Sequence, residues 1–460
     1  MGNNKHFSYI FIPFSMEHAD SFQALTKAVA ESGKWDLSHD NIRYMLKYVS
    51  DKYMDSDNQN RLFYHFTLRD DSRQAFHIPA ASEWFQTVRK WPVNNVGEHI
   101  RFQLKDVHLF CFGTRMCILA FQISLAKTDP LDVADSLFQL KLASVEVKQV
   151  MPPMAEGEAP SPAPRTTALR LARDLVHEFE SIDRFTFFGH MDPEHARANV
   201  LTYLEVPNQD SYDRELFYLR NCYNRRFLYT ANSDPDRKEI FQNTEDILWG
   251  VTSEASVCLA CPEKGNEKFI QKTFLRNFQS EYLFMYVILL HQKYVLYMLL
   301  TELGIGQNND REMLEKYQEN LSEFKADFVF SVITEVPQYQ DLYDYMVRAS
   351  ALEQLYQDVQ EPLISLGEIR RKAEEKEQAK RDSNINNALV LLSVLSFFSV
   401  MADSIGFVDS LFAMLLPGVN AMYAKLGCMG LILLLFVYIF IKLLSKPRKK
   451  HKKSKKSKAK

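Results

Sequence analysis

Apolar positions change their rhythm along this 460-residue chain. In the first third they fall in short dense runs, from Phe7 to Phe14 and over 61–68, 107–113 and 116–126. Runs of this length, rich in Phe, Ile and Val and bounded by polar residues, predict β-strands. Between them, SFQALTKAVAESG and HDNIRYMLKYVSDKYM carry apolar residues at helical spacing. The segment 151–167 holds five of the 17 prolines and reads as a linker, so a domain boundary is placed there. Beyond it ALRLARDLVHEFE predicts a helix, and ANVLTYLEV and SVCLAC predict strands. From about Glu267 the spacing becomes three and four almost throughout, which predicts long antiparallel helices. Pro362 opens a last helix that is polar nearly all round from Gly367 to Asp382, as expected of a solvated helix or a multi-helix stalk.

Two later segments are apolar enough to cross a bilayer, 388–407 and Leu426 to Leu444. Arg370, Arg371, Lys372, Lys376, Lys380 and Arg381 precede the first, and a Lys-rich tail follows the second. The intervening loop has one basic residue, Lys425, so the positive-inside rule predicts both termini in the cytoplasm of a multi-pass protein of the inner (plasma) membrane. A third apolar run, Tyr282 to Leu300, has His291, Gln292 and Lys293 at its centre and is expected as a buried helix of the soluble part. The predicted fold class is an α+β cytosolic domain, then long helices and a stalk helix, then two C-terminal transmembrane helices. Its parts are 1–150 (N-terminal α+β), 151–167 (linker), 168–265 (second α+β part), 266–361 (long helices), 362–387 (stalk), 388–407 (first span), 408–425 (outer loop), 426–444 (second span) and 445–460 (basic tail).

Composition narrows the function classes. The net charge of −3 conceals an asymmetry: residues 446–460 hold ten Lys and Arg and no acid, which leaves about −13 on the rest. Next to a span, such a tail is expected to set topology and hold anionic lipid rather than bind nucleic acid. Gly is scarce, 15 residues, and neither a P-loop nor a dinucleotide fingerprint occurs. No Ser/His/Asp or Cys/His arrangement is legible, so an enzyme is not expected. Cys258 and Cys261 form one C-x-x-C without a second ligand pair and are expected as ordinary thiols, with the six cysteines suiting a reducing compartment. HMDPEHARAN (190–199) offers metal-ligand types, but is expected as a helix start with Asp192 as N-cap and Pro193 at the first position. Asn224, Arg225 and Arg226 could hold a phosphate and are expected as a solvated basic loop.

The first span carries polar residues in apolar surroundings: Asn386 and Asn387, then Ser393, Ser396 and Ser399, then Asp403. Asn386, Ser393 and Asp403 are read as one stripe with Ser396 flanking it and Ser399 further round. Lipid cannot satisfy such a stripe, so it is expected to line a pore, where Asp403 of each subunit would form a cation-attracting ring. The competing reading is that Asp403 merely ends the helix at the water interface.

The order of large α+β domain, long helices, stalk, span, short loop, span and Lys-rich end resembles the CorA family of magnesium channels. The Asn at the inner end of the first span, the small hydroxyl residues after it and the basic tail carry the resemblance, which is closest over about 340–460. The family's Gly-Met-Asn motif is absent: GFVDSLF stands near its place, and Gly418, Val419 and Asn420 form a candidate outer-mouth motif six residues before the second span. The sequence is similar to divergent CorA-like membrane effectors found beside type III CRISPR systems. That resemblance implies a homopentameric cation channel without covalent cofactor, gated in antiviral defence by a small nucleotide second messenger whose pocket the residues do not reveal. Mg2+ would be a permeant or regulatory ion. The alternatives are a divalent cation transporter with a variant filter, and a membrane-anchored scaffold.

Overall fold

In the strand His6–Met16 nearly every side chain is buried, because both faces of the sheet it belongs to are covered. Tyr9 and Phe11 point one way, Ile10, Ile12 and Phe14 the other. This explains why the sequence shows a dense run here and not an alternation. The computed structural model describes residues 5–38, 42–54, 61–94, 96–150, 164–193, 195–207, 211–230, 240–263, 265–305 and 311–415, and ten helical residues between 422 and 438. The chain divides into two units, residues 1–365 and 366–460.

The first unit is built on a 13-stranded sheet. His6–Met16 lies near its middle, antiparallel to Met116–Leu125 on one side and to Asn199–Glu205 on the other. Outward from Met116–Leu125 come Arg101–Phe112, Phe85–Thr87, Glu146–Gln149 and Arg165–Thr167. Outward from Asn199–Glu205 come Ala255–Ala260, paired in parallel, then Ile247–Val251 and Ile240–Thr244. Phe63–Leu68 pairs with a further stretch of Arg101–Phe112, and Phe185–Phe187 with the end of His6–Met16.

The Pro-rich segment therefore does not separate two cores. Strands from both sides of it share backbone hydrogen bonds with the same central strand. Of the expected boundary at 151–167, residues 151–163 lie outside the described set and Arg165–Thr167 is a strand of this sheet, and the division of the chain falls after Ser365.

On one face of the sheet Ser21–Glu31, Pro130–Leu140, Ala168–Val176 and Asp213–Arg220 bury Phe22, Leu25, Leu137, Leu171, Leu175 and Leu216. On the other lies Leu283–Ile305, preceded by π-helical turns at Phe269–Phe274 and Phe278–Tyr282. Tyr286 lies tilted against Phe11 at 5.4 Å, Phe284 meets Phe63 edge-on, and the His291 ring lies flat on Phe112 at 3.8 Å. The stretch Phe269–Gly304 is long and apolar enough to cross a membrane, yet its apolar window is 83% buried. It is the core helix that its central His-Gln-Lys predicts. Gln292 donates to the Phe328 carbonyl and accepts from Tyr343, while Lys293 donates to the Ser253 carbonyl. Burial lowers the Lys293 ammonium to about 8, opposed by the Glu254 carboxylate.

Arg311–Phe328 and Pro337–Ala349 complete the helical layer. A corner at Ser350 and Ala351 then leads into one helix of 64 residues, Leu352–Leu415, with Pro362 inside it.

Candidate functional site

The 64-residue helix begins inside the folded unit and continues without interruption into the apolar segment. Its early turns are anchored: Val359 and Leu363 are buried, and Gln318 donates to the Leu363 carbonyl. From Gly367 to Asp382 the side chains are exposed or partly exposed, with i,i+4 ion pairs Arg371–Glu375 and Lys372–Glu368 at 3.7 Å. Exposed pairs of this kind add only about 0.3–0.5 kcal/mol each. From Ala388 to Val400 the helix is apolar and mostly exposed: Leu389, Leu392, Leu395 and Phe398 are each 55–60% accessible. The window within Leu352–Val400 that is apolar and long enough to cross a membrane has none of its residues buried. It differs in this from the core helix, the other such stretch among the described residues. Described residues of the second expected span, from Leu426 to Tyr438, are helical, and the Phe436 ring stacks on Phe397 at 4.0 Å.

Asn386, Ser393, Ser396 and Asp403 all lie on the long helix and all are exposed. They do not form the single stripe expected. At about 100° per residue, Ser393 falls about 20° from Asn386, but Ser396 and Asp403 fall about 80° and 100° away. Seventeen residues are not a whole number of turns, so Asp403 aligns with Ser396 and not with Asn386. Asn386 and Ser393 sit within about 40° of Phe397, on the side that meets the second helix. The Ser393 hydroxyl is already satisfied by the Leu389 carbonyl at 2.8 Å. Ser396 and Asp403 lie about 100° and 120° round from Phe397, off that side. Ser399 is further round still. Gly418, Val419 and Asn420 lie outside the described residues.

The folded unit resolves the other candidate clusters. The described residues around Asp192 form a turn, not a helix start: His195 N–H bonds to the Asp192 carbonyl and its Nδ1 to the Asp192 carboxylate. Arg225 is not a free phosphate ligand. Its NH2 pairs with Asp132, its Nε lies 2.6 Å from Asp135, and its backbone N–H donates to the same carboxylate. Cys111, Cys117, Cys222, Cys258 and Cys261 are free and buried, and burial raises the Cys258 thiol. Glu17, His18 and Asp183 bring potential ligand atoms within 4.8 Å of one another. Asp183 is engaged otherwise, accepting from the backbone N–H groups of His18 (2.9 Å) and Arg184 (2.7 Å) and facing His18 Nδ1 at 3.2 Å. Burial alone would raise its carboxyl, but these donors hold it at about 2.

Three cavities flank the core helix. One of about 460 Å3 opens between the end of His6–Met16 and the helix, lined by Arg115, Arg184, His190, Tyr294 and Glu302. A second of about 510 Å3 adjoins it across Arg115. A third of about 400 Å3 is lined by Tyr343, Val347, Leu352, Tyr356 and Gln360 and so includes the first turns of the 64-residue helix. Sequence patterns gave no hint of Arg115 or Glu302, which lie 187 positions apart and form an ion pair at 3.0 Å. Only the packing of the core helix on the sheet brings them together.

No family model, curated protein or solved structure matches the chain.

Proposed function

We propose that the protein is a membrane-embedded, self-associating cation channel controlled by a small ligand on its folded, cytoplasmic unit. The observation that carries this reading is the helix Leu352–Leu415, whose root is packed among the body's helices and whose stretch from Ala388 to Val400 is apolar with none of its residues buried. A helix shared in this way can convey a change in packing at its root along its length. An apolar helix that carries Ser396, Ser399 and Asp403 away from its partner helix suits a pore-facing role in an oligomer. A homopentamer, a nucleotide second messenger as ligand, Mg2+ as permeant or regulatory ion, and service in type III CRISPR defence follow from the resemblance to CorA-like proteins. The basic tail would rest on anionic lipid at the inner (plasma) membrane, with both termini cytoplasmic.

Reconstitution in liposomes tests the reading. Ligand-dependent cation flux that is lost when the apolar half of the helix is replaced by an unrelated span is the expected result. A protein that conducts nothing, and whose cellular effect survives that replacement, would be a tethered scaffold.

A further inference from the structure

We propose that the 460 Å3 cavity between the end of His6–Met16 and the core helix binds a phosphate-bearing, nucleotide-sized anion, held by Arg184 and Arg115 in competition with Glu302. The proposal rests on the ligand-controlled reading and names the site and chemistry of the ligand. The volume lies within the range of small-molecule sites.

Two cations reach the cavity in different states. Arg184 is exposed and its side chain has no ion-pair partner among the described residues. Arg115 stands in the hairpin turn between Arg101–Phe112 and Met116–Leu125, at φ +70, a left-handed conformation that a residue with a side chain rarely adopts. From there its guanidinium bridges to Glu302 at 3.0 and 3.4 Å and donates to the Glu17 carbonyl. The Glu302 side chain is 28% accessible, so this pair is open to water and weakly held. A tetrahedral phosphate also offers the guanidinium a pair of acceptor oxygens, with more charge than a carboxylate. The remaining acid on the wall, Glu17, is exposed and lies within 4.8 Å of the His18 ring nitrogen.

The lining also offers an aromatic surface at His190 and Tyr294. His190 stacks on Tyr297 at 4.9 Å and lies 5.2 Å from Tyr294. Burial, and then the Lys293 charge, lower His190 to about 4, so at neutral pH it is an uncharged aromatic surface. Displacing Glu302 would untie the end of Leu283–Ile305 from the hairpin turn. That helix is bonded through Gln292 to Tyr343 on the helix preceding the 64-residue one.

The test uses the intact protein in detergent, with inorganic pyrophosphate and radiolabelled ATP as probes, read by melting temperature and equilibrium dialysis. Millimolar pyrophosphate should raise the melting temperature. Glu302→Gln should tighten binding of both probes several-fold, and Arg184→Ala should weaken it roughly tenfold or more. Arg184 is exposed, so its loss leaves the fold intact even if Arg115→Ala disturbs the turn. Absence of binding to Glu302→Gln, the most receptive form, overturns the site, as does binding indifferent to Arg184→Ala. Binding is read without conductance. Binding without effect on flux therefore keeps the site and removes the gating, whereas gated flux without binding removes the site and leaves the channel.

Discussion

Asp403 carries the one charge of residues 388–407, on the same side of its helix as Ser396. If both face a conduction path, Asp403→Lys should move the reversal potential away from cations in bilayer recordings, while Ser393→Ala should leave it unmoved, because that hydroxyl bonds to its own helix. An unchanged potential in Asp403→Lys would place the carboxylate outside the path, since the helix itself runs on to Leu415. Arg225 is a different kind of residue, a charge with two buried partners. Removing it leaves Asp135, whose side chain is 1% accessible, without its counter-ion. Arg225→Ala should cost about 3–5 kcal/mol in denaturant unfolding, and a loss below about 1 kcal/mol would show that the pair is ornamental. Asp183 contributes a pH dependence. Its folded value of about 2 lies below the unfolded one, so its stabilisation is complete above about pH 4 and fades as pH falls through 2. Asp183→Asn should lose about 2 kcal/mol at neutral pH and flatten the acid limb of the stability profile. An acid limb identical to the parent's would refute this.

Among elements, the corner before the long helix holds a left-handed residue with a side chain. Ala351 sits at φ +51 between Pro337–Ala349 and Leu352–Leu415, its N–H bonded to the Arg348 carbonyl. A left-handed non-glycine residue costs about 1–2 kcal/mol. Ala351→Gly should therefore hold or slightly raise the melting temperature, and Ala351→Val should lower it by several degrees. Equal melting of all three would show a corner free of strain. Elements of this length were legible where their pattern was long. The strands around Phe7, 61–68, 107–113 and 116–126 and the buried helix 282–300 lie where their apolar runs predict. Strands of three residues, such as Phe85–Thr87 and Arg165–Thr167, carry no period to read and exist only through their neighbours. The turn at Asp192 and Pro193 imitates a helix start because Asp-Pro serves both equally well. The polar stripe misled for a geometric reason: spacings of seven and ten residues look regular, but over seventeen the helix has rotated away. Arg115 and Glu302 could not be paired from sequence, since nothing local relates them.

At the scale of the whole molecule, one sheet joins residues that lie nearly 200 positions apart, and the apolar half of the long helix belongs to a separate unit. A chain ending after Ser365 should fold without detergent, because the sheet and the helices on both its faces lie within it. Aggregation of that fragment, with the intact protein well behaved in detergent, would show that the second unit supports the first. The central position of His6–Met16 also orders events in time. Its neighbours are Met116–Leu125 and Asn199–Glu205, and the latter needs Ala255–Ala260 beside it. At roughly 5–20 residues per second, ribosomes make the first strand on the order of ten seconds or more before its last partners exist. During that interval an aromatic strand with two apolar faces and two bare edges must be kept from pairing with another nascent chain. Production of this protein should therefore depend on early chaperone capture of its N-terminus, before any question of membrane insertion arises.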